Sequence, residues 1–269
     1  MAVTIRDVAK LAGVSPMTVS RVINGSPKVA PQTRERVEAA IAELHYVPNT
    51  LARGLTQSRS GTIGMVVPDL GDPFFTLVLR GAEQVAWAAG YRVIVCNTSN
   101  DGDVEVSYLD NLIAHQVDGV ILAPVSDASK RMIDWMVGRG LPHVLLDRSI
   151  PGVEADVVQG DSVGGARMLV DHLIANGHRR IGHVTEPQDV STARDRLQGY
   201  REALEANGIP FDGELVAEGS GATIDGARGA TNELLGREVT FSAILAVMVR
   251  RPTCMDMPYT AALVEPGKT

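Results

Sequence analysis

Side chains in one short segment, residues 16–24, have the chemistry needed to read a DNA groove. Arg21 can donate two hydrogen bonds to O6 and N7 of a guanine, which is the commonest base-specific protein contact. Met17, one helical turn earlier, could touch a thymine methyl group, and Pro16 lies beside it. The polar residues suited to phosphate contacts, which set register without reading sequence, are Thr4, Thr18, Ser20 and Asn24.

A helix-turn-helix pattern in residues 4–25 would position these side chains. Apolar residues at helical spacing follow Thr4, and Gly13 ends that first helix. Ser15 is the expected N-cap of a second helix that reaches about Asn24. A third helix is predicted from about Pro31. The alternative, an ordinary three-helix bundle with a solvated basic face, is the weaker interpretation because so much of the motif is present.

Charge is distributed unevenly along the 269 residues. Residues 1–60 hold eight Lys or Arg against four Asp or Glu, so they carry +4 while the remainder of this −7 chain carries −11. A basic head on an acidic body is typical of a nucleic-acid-binding module. An apolar fraction of 45% excludes wholesale disorder. The absence of an apolar leader in the first ten residues and of a long apolar run favours a cytoplasmic protein that is neither secreted nor membrane-bound.

From residue 61 short Val- and Ile-rich strands alternate with helices, a pattern typical of an α/β parallel sheet with crossover helices. Several strands are apolar throughout, as expected of strands buried on both faces. The predicted strands are 62–68, 92–97, 119–123, 143–147, 180–185 and 243–247. The predicted helices are 73–89, 103–115, 128–139, 161–176, 191–207 and 223–235.

The segment TIRDVAKLAGVSPMTVSRVING at 4–25, continued by VAPQTRERV at 29–37, resembles the headpiece of the LacI/GalR family of bacterial transcriptional repressors. Residues 49–60 are polar, basic and weakly amphipathic, and they resemble that family's hinge helix. The resemblance implies that paired hinge helices enter the minor groove, where Leu55 would wedge between base pairs with Ala52 packed beside it. The alternative for Leu55 is one apolar residue on a flexible linker.

Residues 61 to about 247 resemble the family's regulatory core, a two-lobed fold like that of periplasmic sugar-binding proteins; IGMVVPD at 63–69 and STARDRLQGY at 191–200 carry part of the likeness. Small ligands of such folds lie at the carboxyl ends of strands, between the lobes. The candidate effector-binding residues are Asp69, Phe74, Asp147, Arg148 and Arg194. The resemblance favours Asp147 and Arg194 most, whereas ion pairing or helix capping is an equal alternative for the others.

Motifs for catalysis, metal binding or a cofactor are not recognisable. His178 and His183 straddle a loop and the start of a strand, so they do not share a helical face and predict no metal site. The glycines at 160–165 lack the Lys and Ser/Thr of a phosphate-binding loop, and Asp161 is a better helix cap. Two cysteines, Cys96 and Cys254, allow at most one disulfide.

The resemblance stops after Val247. The strand is followed by a segment that Pro252 and Pro258 interrupt, and its apolar periodicity disappears. We therefore hypothesise that residues 248–269 are out-of-frame translation, with natural truncation or divergence as the alternative. Either way the second lobe would be incomplete and would expose a sheet edge.

The predicted organisation is an α-helical headpiece (1–48), a hinge (49–60), a first lobe (61–160), a partial second lobe (161–247) and a tail outside the family (248–269). The predicted function is sequence-specific regulation of transcription by a homodimer on a near-palindromic operator, and the resemblance implies repression. A sugar or sugar derivative would set operator affinity. The alternatives are a defective regulator with weak DNA binding, a sugar-binding protein and, least favoured, an enzyme.

Overall fold

The computed structural model describes residues 3–47, 59–220, 223–246 and 261–262. The chain divides into two compact units, residues 1–60 and 61–269. The predicted hinge contacts, Ala52 and Leu55, lie outside the described residues. So does the tail assigned to frameshift, except for the backbone of Ala261–Ala262, and that hypothesis stays a prediction.

The described residues of the first unit form three helices: α1 (Ile5–Ala12), α2 (Pro16–Ile23) and α3 (Pro31–Glu43). Gly13 ends α1 with a φ of 65°, a left-handed conformation that glycine adopts without penalty. Ser15 caps α2, since its Oγ accepts a hydrogen bond of 3.2 Å from the backbone N of Thr18. These local signals confirm the predicted positions of the helices.

Each helix contributes one fully buried valine to the headpiece core: Val8, Val19 and Val37. Arg34 of α3 also hydrogen-bonds to the end of α2. Its guanidinium donates to the carbonyl oxygens of Val22 at 3.5 Å and Ser26 at 2.8 Å. Because these carbonyls lie at and beyond the end of α2, the contact satisfies groups that the helix itself leaves unpaired. The orientation of α2 therefore depends on α3.

Replacing Ser15 with alanine should destabilise the headpiece by about 1 kcal/mol, because the N–H of Thr18 loses its acceptor. Thermal unfolding followed by far-ultraviolet circular dichroism at 222 nm would measure the loss. Ser15→Asn, which keeps a capping oxygen, should unfold close to the parent protein. Equal destabilisation by both substitutions would show that Ser15 does not act as a cap.

In the second unit, residues 61–160 build a sheet whose described strands are all parallel, in the order β2-β1-β3-β4-β5. Its strands are β1 (Thr62–Val67), β2 (Arg92–Asn97), β3 (Gly119–Leu122), β4 (His143–Leu146) and β5 (Asp156–Val158). Its helices are α4 (Pro73–Ala88), α5 (Gly102–Ala114) and α6 (Lys130–Gly138).

Helices cover both faces of this sheet. On β1, Met65 and Val67 pack in the cluster that contains Phe75 of α4, whereas Val66 packs with Leu109 of α5. Successive side chains of a strand point to opposite faces, so this division follows from the strand period. The central strands are therefore buried on both sides, as their apolar runs predict.

Residues after 160 build a smaller sheet in the order β7-β6-β8-β9, in which the last pairing is antiparallel. Its strands are β6 (Ile181–Thr185), β7 (Val216–Glu218), β8 (Ala243–Ala246) and β9 (Ala261–Ala262). Its helices are α7 (Ser162–Ala175), α8 (Ser191–Ala206) and α9 (Ile224–Gly236).

One face of the smaller sheet packs on α7 and α8. Tyr200 is fully buried there; its ring lies 5.1 Å from that of His183, and its hydroxyl donates to the carbonyl oxygen of Ile181 at 2.8 Å. Burial lowers the pKa of His183 to about 4, so the imidazole is neutral at pH 7. His183 is therefore part of the core.

The sequence pattern places the described helices to within about two residues, but it misses β5 and β7. Both contain three residues, too few to show a strand period. Three predicted strands also end one residue early, before Pro68, Ala123 and Asp147. The expectation of burial on both faces is wrong for β2, an edge strand with Ile94 42% exposed. In the described segments no helix is long and apolar enough to span a membrane.

Candidate nucleic-acid interface and interlobe site

The first turn of α2 presents its side chains outward. Met17 is 63% exposed, Pro16 is exposed, and Arg21 is exposed one turn later. The Arg21 guanidinium makes no hydrogen bond or ion pair with any other described residue. Its two N–H edges are therefore free to meet an external acceptor, which is the condition for bidentate contact with guanine.

The polar residues predicted to contact phosphates are held by local hydrogen bonds. At the start of α1, the backbone N and Oγ1 of Thr4 donate to Oδ2 of Asp7 at 2.8 and 2.7 Å, and these two bonds lower the pKa of Asp7. Thr18 Oγ1 lies 3.0 Å from Ser15 Oγ. Asn24 Nδ2 donates to Ser20 Oγ at 3.4 Å. These contacts orient the hydroxyl groups and leave hydrogen-bonding capacity for an oxygen of a ligand.

The predicted effector residue Asp147 lies directly after β4, at the carboxyl edge of the first sheet, with a φ of 62°. Aspartate is among the few residues that tolerate this left-handed conformation. Burial raises the pKa of its carboxyl group; Arg196 and then Arg148 act in the opposite direction, while Glu186 and Asp72 add to the rise. Asp147 is therefore close to charged groups from both sheets.

Arg148 is almost fully buried, with 5% of its surface exposed. Its Nη1 donates to the carbonyl oxygens of Pro124 at 3.0 Å and Val125 at 3.2 Å, and its Nε has no partner among the described residues. These bonds fasten the loop after β3 to the end of β4. The structure thus engages Arg148 within the first lobe, and its predicted contact with an effector stays a prediction.

Glu105 of α5 also binds this loop. Its carboxylate accepts hydrogen bonds from the Val125 backbone N at 2.8 Å and from Ser129 Oγ. Burial raises the pKa of Glu105, and these two bonds and Arg148 counteract the rise. A buried carboxylate needs such partners, so the loop and Glu105 stabilise each other.

Asp127 lies on this loop and joins the two lobes. Its carboxylate receives both terminal nitrogens of Arg194, at 2.7 and 3.2 Å, and its backbone N donates to the Asp189 carbonyl oxygen at 2.9 Å. A further interlobe bond of 2.9 Å runs from the Ser149 N to Ser191 Oγ. Arg194, which the sequence favours as an effector ligand, is therefore paired with the opposite lobe in this conformation.

Arg196, two residues further along α8, is the arginine that acts most strongly on Asp147. Its Nη1 donates to Oε2 of Glu186 at 3.3 Å, and its buried Nε has no partner in the described parts of the chain. Glu186 follows β6 directly, so the pair lies at the carboxyl edge of the second sheet. The carboxyl ends of strands are where small ligands bind in open parallel sheets, and the pair acts electrostatically on Asp147 at the corresponding edge of the first sheet.

The remaining two candidates lie after β1. Asp69 Oδ1 accepts a hydrogen bond from the Gly71 N at 2.7 Å. Phe74 is 43% exposed in the first turn of α4, where Asp72 Oδ1 accepts from its backbone N at 2.9 Å. Asp69 and Asp72 thus both support the loop that leads from β1 into α4. Their contact with an effector stays a prediction.

Arg196 and Glu186 are functional candidates that the sequence analysis missed. Residues two apart on a helix point about 200° apart, so only one of Arg194 and Arg196 can face a given surface. The pattern RDR contains both and cannot choose between them. A polar residue at a strand end was the available signal for Glu186.

Comparison with known proteins agrees with this architecture. Residues 4–49 match the bacterial regulatory proteins of the lacI family, and residues 60–249 match the periplasmic binding proteins and sugar binding domain of the LacI family. The chain belongs to the LacI family. The second match alone covers more than half of the chain and ends two residues after Val247.

Individual LacI-family proteins resemble the chain over most of its length. The transcriptional regulator GalR of Escherichia coli K12 is 39% identical over 245 residues, which are 90% of this chain and 70% of GalR. The CelR–cellobiose complex has 36% identity and a TM-score of 0.62, covering 91% of this chain and 74% of CelR. A lac repressor dimer bound to operator and an anti-inducer has 29% identity and a TM-score of 0.76, covering 92% and 74%.

Proposed function

We propose that the chain represses transcription by binding an operator through its headpiece, and that a sugar or related small molecule controls this binding. Two features together carry the proposal. Helix α2 has an exposed first turn and an Arg21 without a partner among the described residues, and the two-lobed core brings charged residues together at its strand ends. Both parts match the LacI family. No catalytic step is needed for this function.

On the DNA, α2 would lie in the major groove, with Arg21 reading guanine and Met17 contacting a thymine methyl. Pro16 would set the approach of the first turn. The phosphate contacts would come from Thr4, Thr18, Ser20 and Asn24. Leu55, with Ala52 beside it, would wedge into the minor groove at the operator centre.

We propose Asp147 and Arg196 as the central effector ligands. A carboxylate accepts hydrogen bonds from sugar hydroxyls and a guanidinium donates to them, so the two groups complement a polyhydroxyl ligand. The Asp127–Arg194 ion pair would form only when the two lobes lie close together. An effector that prefers one lobe arrangement shifts operator affinity through a coupling free energy of about 1–3 kcal/mol.

A homodimer is the proposed assembly. The lac repressor structure that this chain resembles is a dimer on its operator. In α4 of this chain, Phe74, Leu77 and Val85 share one helical face and are 43%, 67% and 72% exposed. Large apolar side chains exposed on one helical face indicate an interaction surface. Two copies would present two headpieces to a near-palindromic site.

We further propose that the core divides into a first lobe at residues 61–160 and a second at 161–247. We also propose that the protein acts in the cytoplasm, where bacterial DNA is accessible to a regulator.

Operator release by saccharide tests this function. An operator is first selected from random duplexes with the 269-residue protein. Sugars, including cellobiose, are then screened for their effect on the operator Kd. Arg196→Gln should reduce the saccharide-induced change in Kd by about tenfold, because the ligand loses a charged donor. Fluorescence anisotropy with labelled operator measures both quantities.

Arg201→Gln is the matched control, since Arg201 lies on the same helix but packs over the Phe211 ring, 4.4 Å from its centroid. Its response should equal that of the parent. An undiminished response in Arg196→Gln would exclude Arg196 as a ligand. Failure to enrich any DNA sequence would contradict the repressor function itself.

A further inference from the structure

Carboxylates outnumber available cations at the strand ends of the interlobe site. Glu186 and Asp72 both lie within electrostatic range of Asp147, since each raises the pKa of its carboxyl group. Glu186 is nearly buried, with 9% of its side chain exposed. An ionised carboxylate in such a position raises the cost of bringing a second negative charge close to it.

The two arginines near these carboxylates are already engaged. Arg148 donates to two backbone carbonyl oxygens and is 5% exposed. Arg196 is paired with Glu186 and has 17% of its side chain exposed. Arg194, on the same helix, is neutralised by Asp127 in the other lobe. Arg194 and Arg196 are thus ion-paired. Arg148 has only neutral carbonyl partners, but it is almost fully buried and its charge already acts on the carboxylates of Glu105 and Asp147.

We propose that Glu186 makes the effector site selective for uncharged, hydroxyl-rich ligands and excludes phosphorylated or carboxylated ones by occupying Arg196. This inference rests on the proposed function and specifies the class of effector that the site accepts.

The two classes of ligand differ in whether they must replace Glu186 as the partner of Arg196. A phosphate or carboxylate ligand would have to displace Glu186 from Arg196. The buried carboxylate of Glu186 would then be unpaired, close to the negative charges of Asp147 and of the ligand. A neutral sugar leaves the Arg196–Glu186 pair intact. Its hydroxyls can donate to Asp147 and Glu186 and accept from the terminal N–H groups of Arg196 that the ion pair leaves over.

Inorganic phosphate is the first probe, because it carries the charge without a sugar. Isothermal titration at constant ionic strength should show no saturable phosphate binding to the parent protein. Glu186→Gln removes the competing charge but keeps an amide oxygen near Arg196, so phosphate affinity should rise roughly tenfold or more. Adding Arg196→Gln to that variant should abolish the gain.

Glu205→Gln is the control, since Glu205 is exposed on the same helix. It should leave phosphate binding as in the parent protein. Equal phosphate affinity in the parent and in Glu186→Gln would overturn the inference, as would no binding by either.

Matched saccharides on the parent protein provide a second measurement that does not depend on the variant folding. Glucose and galactose are compared with their 6-phosphates and uronic acids, and cellobiose is included. Binding of a neutral sugar at least about tenfold tighter than its anionic counterpart supports the inference. Tighter binding of an anionic member overturns the charge selectivity but leaves the proposed function standing. Failure of every saccharide to bind would instead count against the sugar-controlled function and remove the basis of the inference.

Discussion

Replacing Arg21 with alanine should weaken binding to the selected operator by about 1–3 kcal/mol, the range expected for one bidentate contact with guanine. The exposed guanidinium has no partner to lose among the described residues, so the headpiece itself should remain folded. Binding to random duplex should weaken much less, because Arg21 is only one of the eight Lys or Arg of residues 1–60 and the others still attract the phosphates. Anisotropy titrations on both duplexes at one salt concentration measure the difference.

Arg36→Ala is the control for charge. Arg36 is exposed on α3, outside the helix predicted to read bases, so its loss should affect specific and random DNA alike. If Arg21→Ala also weakened both duplexes equally, Arg21 would be a phosphate contact and would read no base. In that case, changing guanine to adenine in each half-site should alter the Kd by the same factor for the parent and for Arg21→Ala.

Replacing Gly199 with alanine should destabilise the core by about 3 kcal/mol, enough to lower its Tm by roughly 10 °C. A Cβ at this position would overlap the carbonyl oxygen of Val163 and lie 3.1 Å from Cβ of Ala166, both on α7. Backbone atoms of a packed helix cannot move aside without separating α7 from α8. Differential scanning calorimetry would measure the change.

Gly229→Ala supplies the comparison. Gly229 lies in α9, and a Cβ there would meet no atom within 4 Å. Alanine is the better helix former by about 1 kcal/mol, so this variant should be as stable as the parent or slightly more stable. If the two variants behaved alike, close packing of α7 on α8 would not be the reason for glycine at position 199. Saccharide response should also fall in Gly199→Ala, since α8 carries Arg194 and Arg196.

Local signals account for the parts of the fold that the sequence predicts well. Ser15 and Pro16 mark the start of α2, and Gly13 marks the end of α1, because capping and left-handed turns involve only neighbouring residues. Strands β1, β3 and β4 of the first sheet are recognised from apolar runs that reflect burial on both faces. Three-residue strands such as Asp156–Val158 contain too little pattern to be recognised.

The chemistry of the headpiece is also a property of the sequence alone. Arg21 and Met17 are exposed in the structure, as the helix-turn-helix spacing requires. Asp147 follows β4 at a strand end, where its position along the chain already places it. The types of residue and their order thus determine a DNA-binding head and a sheet edge with polar side chains.

Only the tertiary structure decides which side chains meet at that edge. Asp127 pairs with Arg194, 67 residues away, and Arg148 is directed into the loop that Glu105 supports. Arg196 pairs with Glu186 and acts electrostatically on Asp147. The physical reason is that burial and charge pairing depend on distances between segments remote in sequence, whereas helix caps and strand periods depend on neighbours.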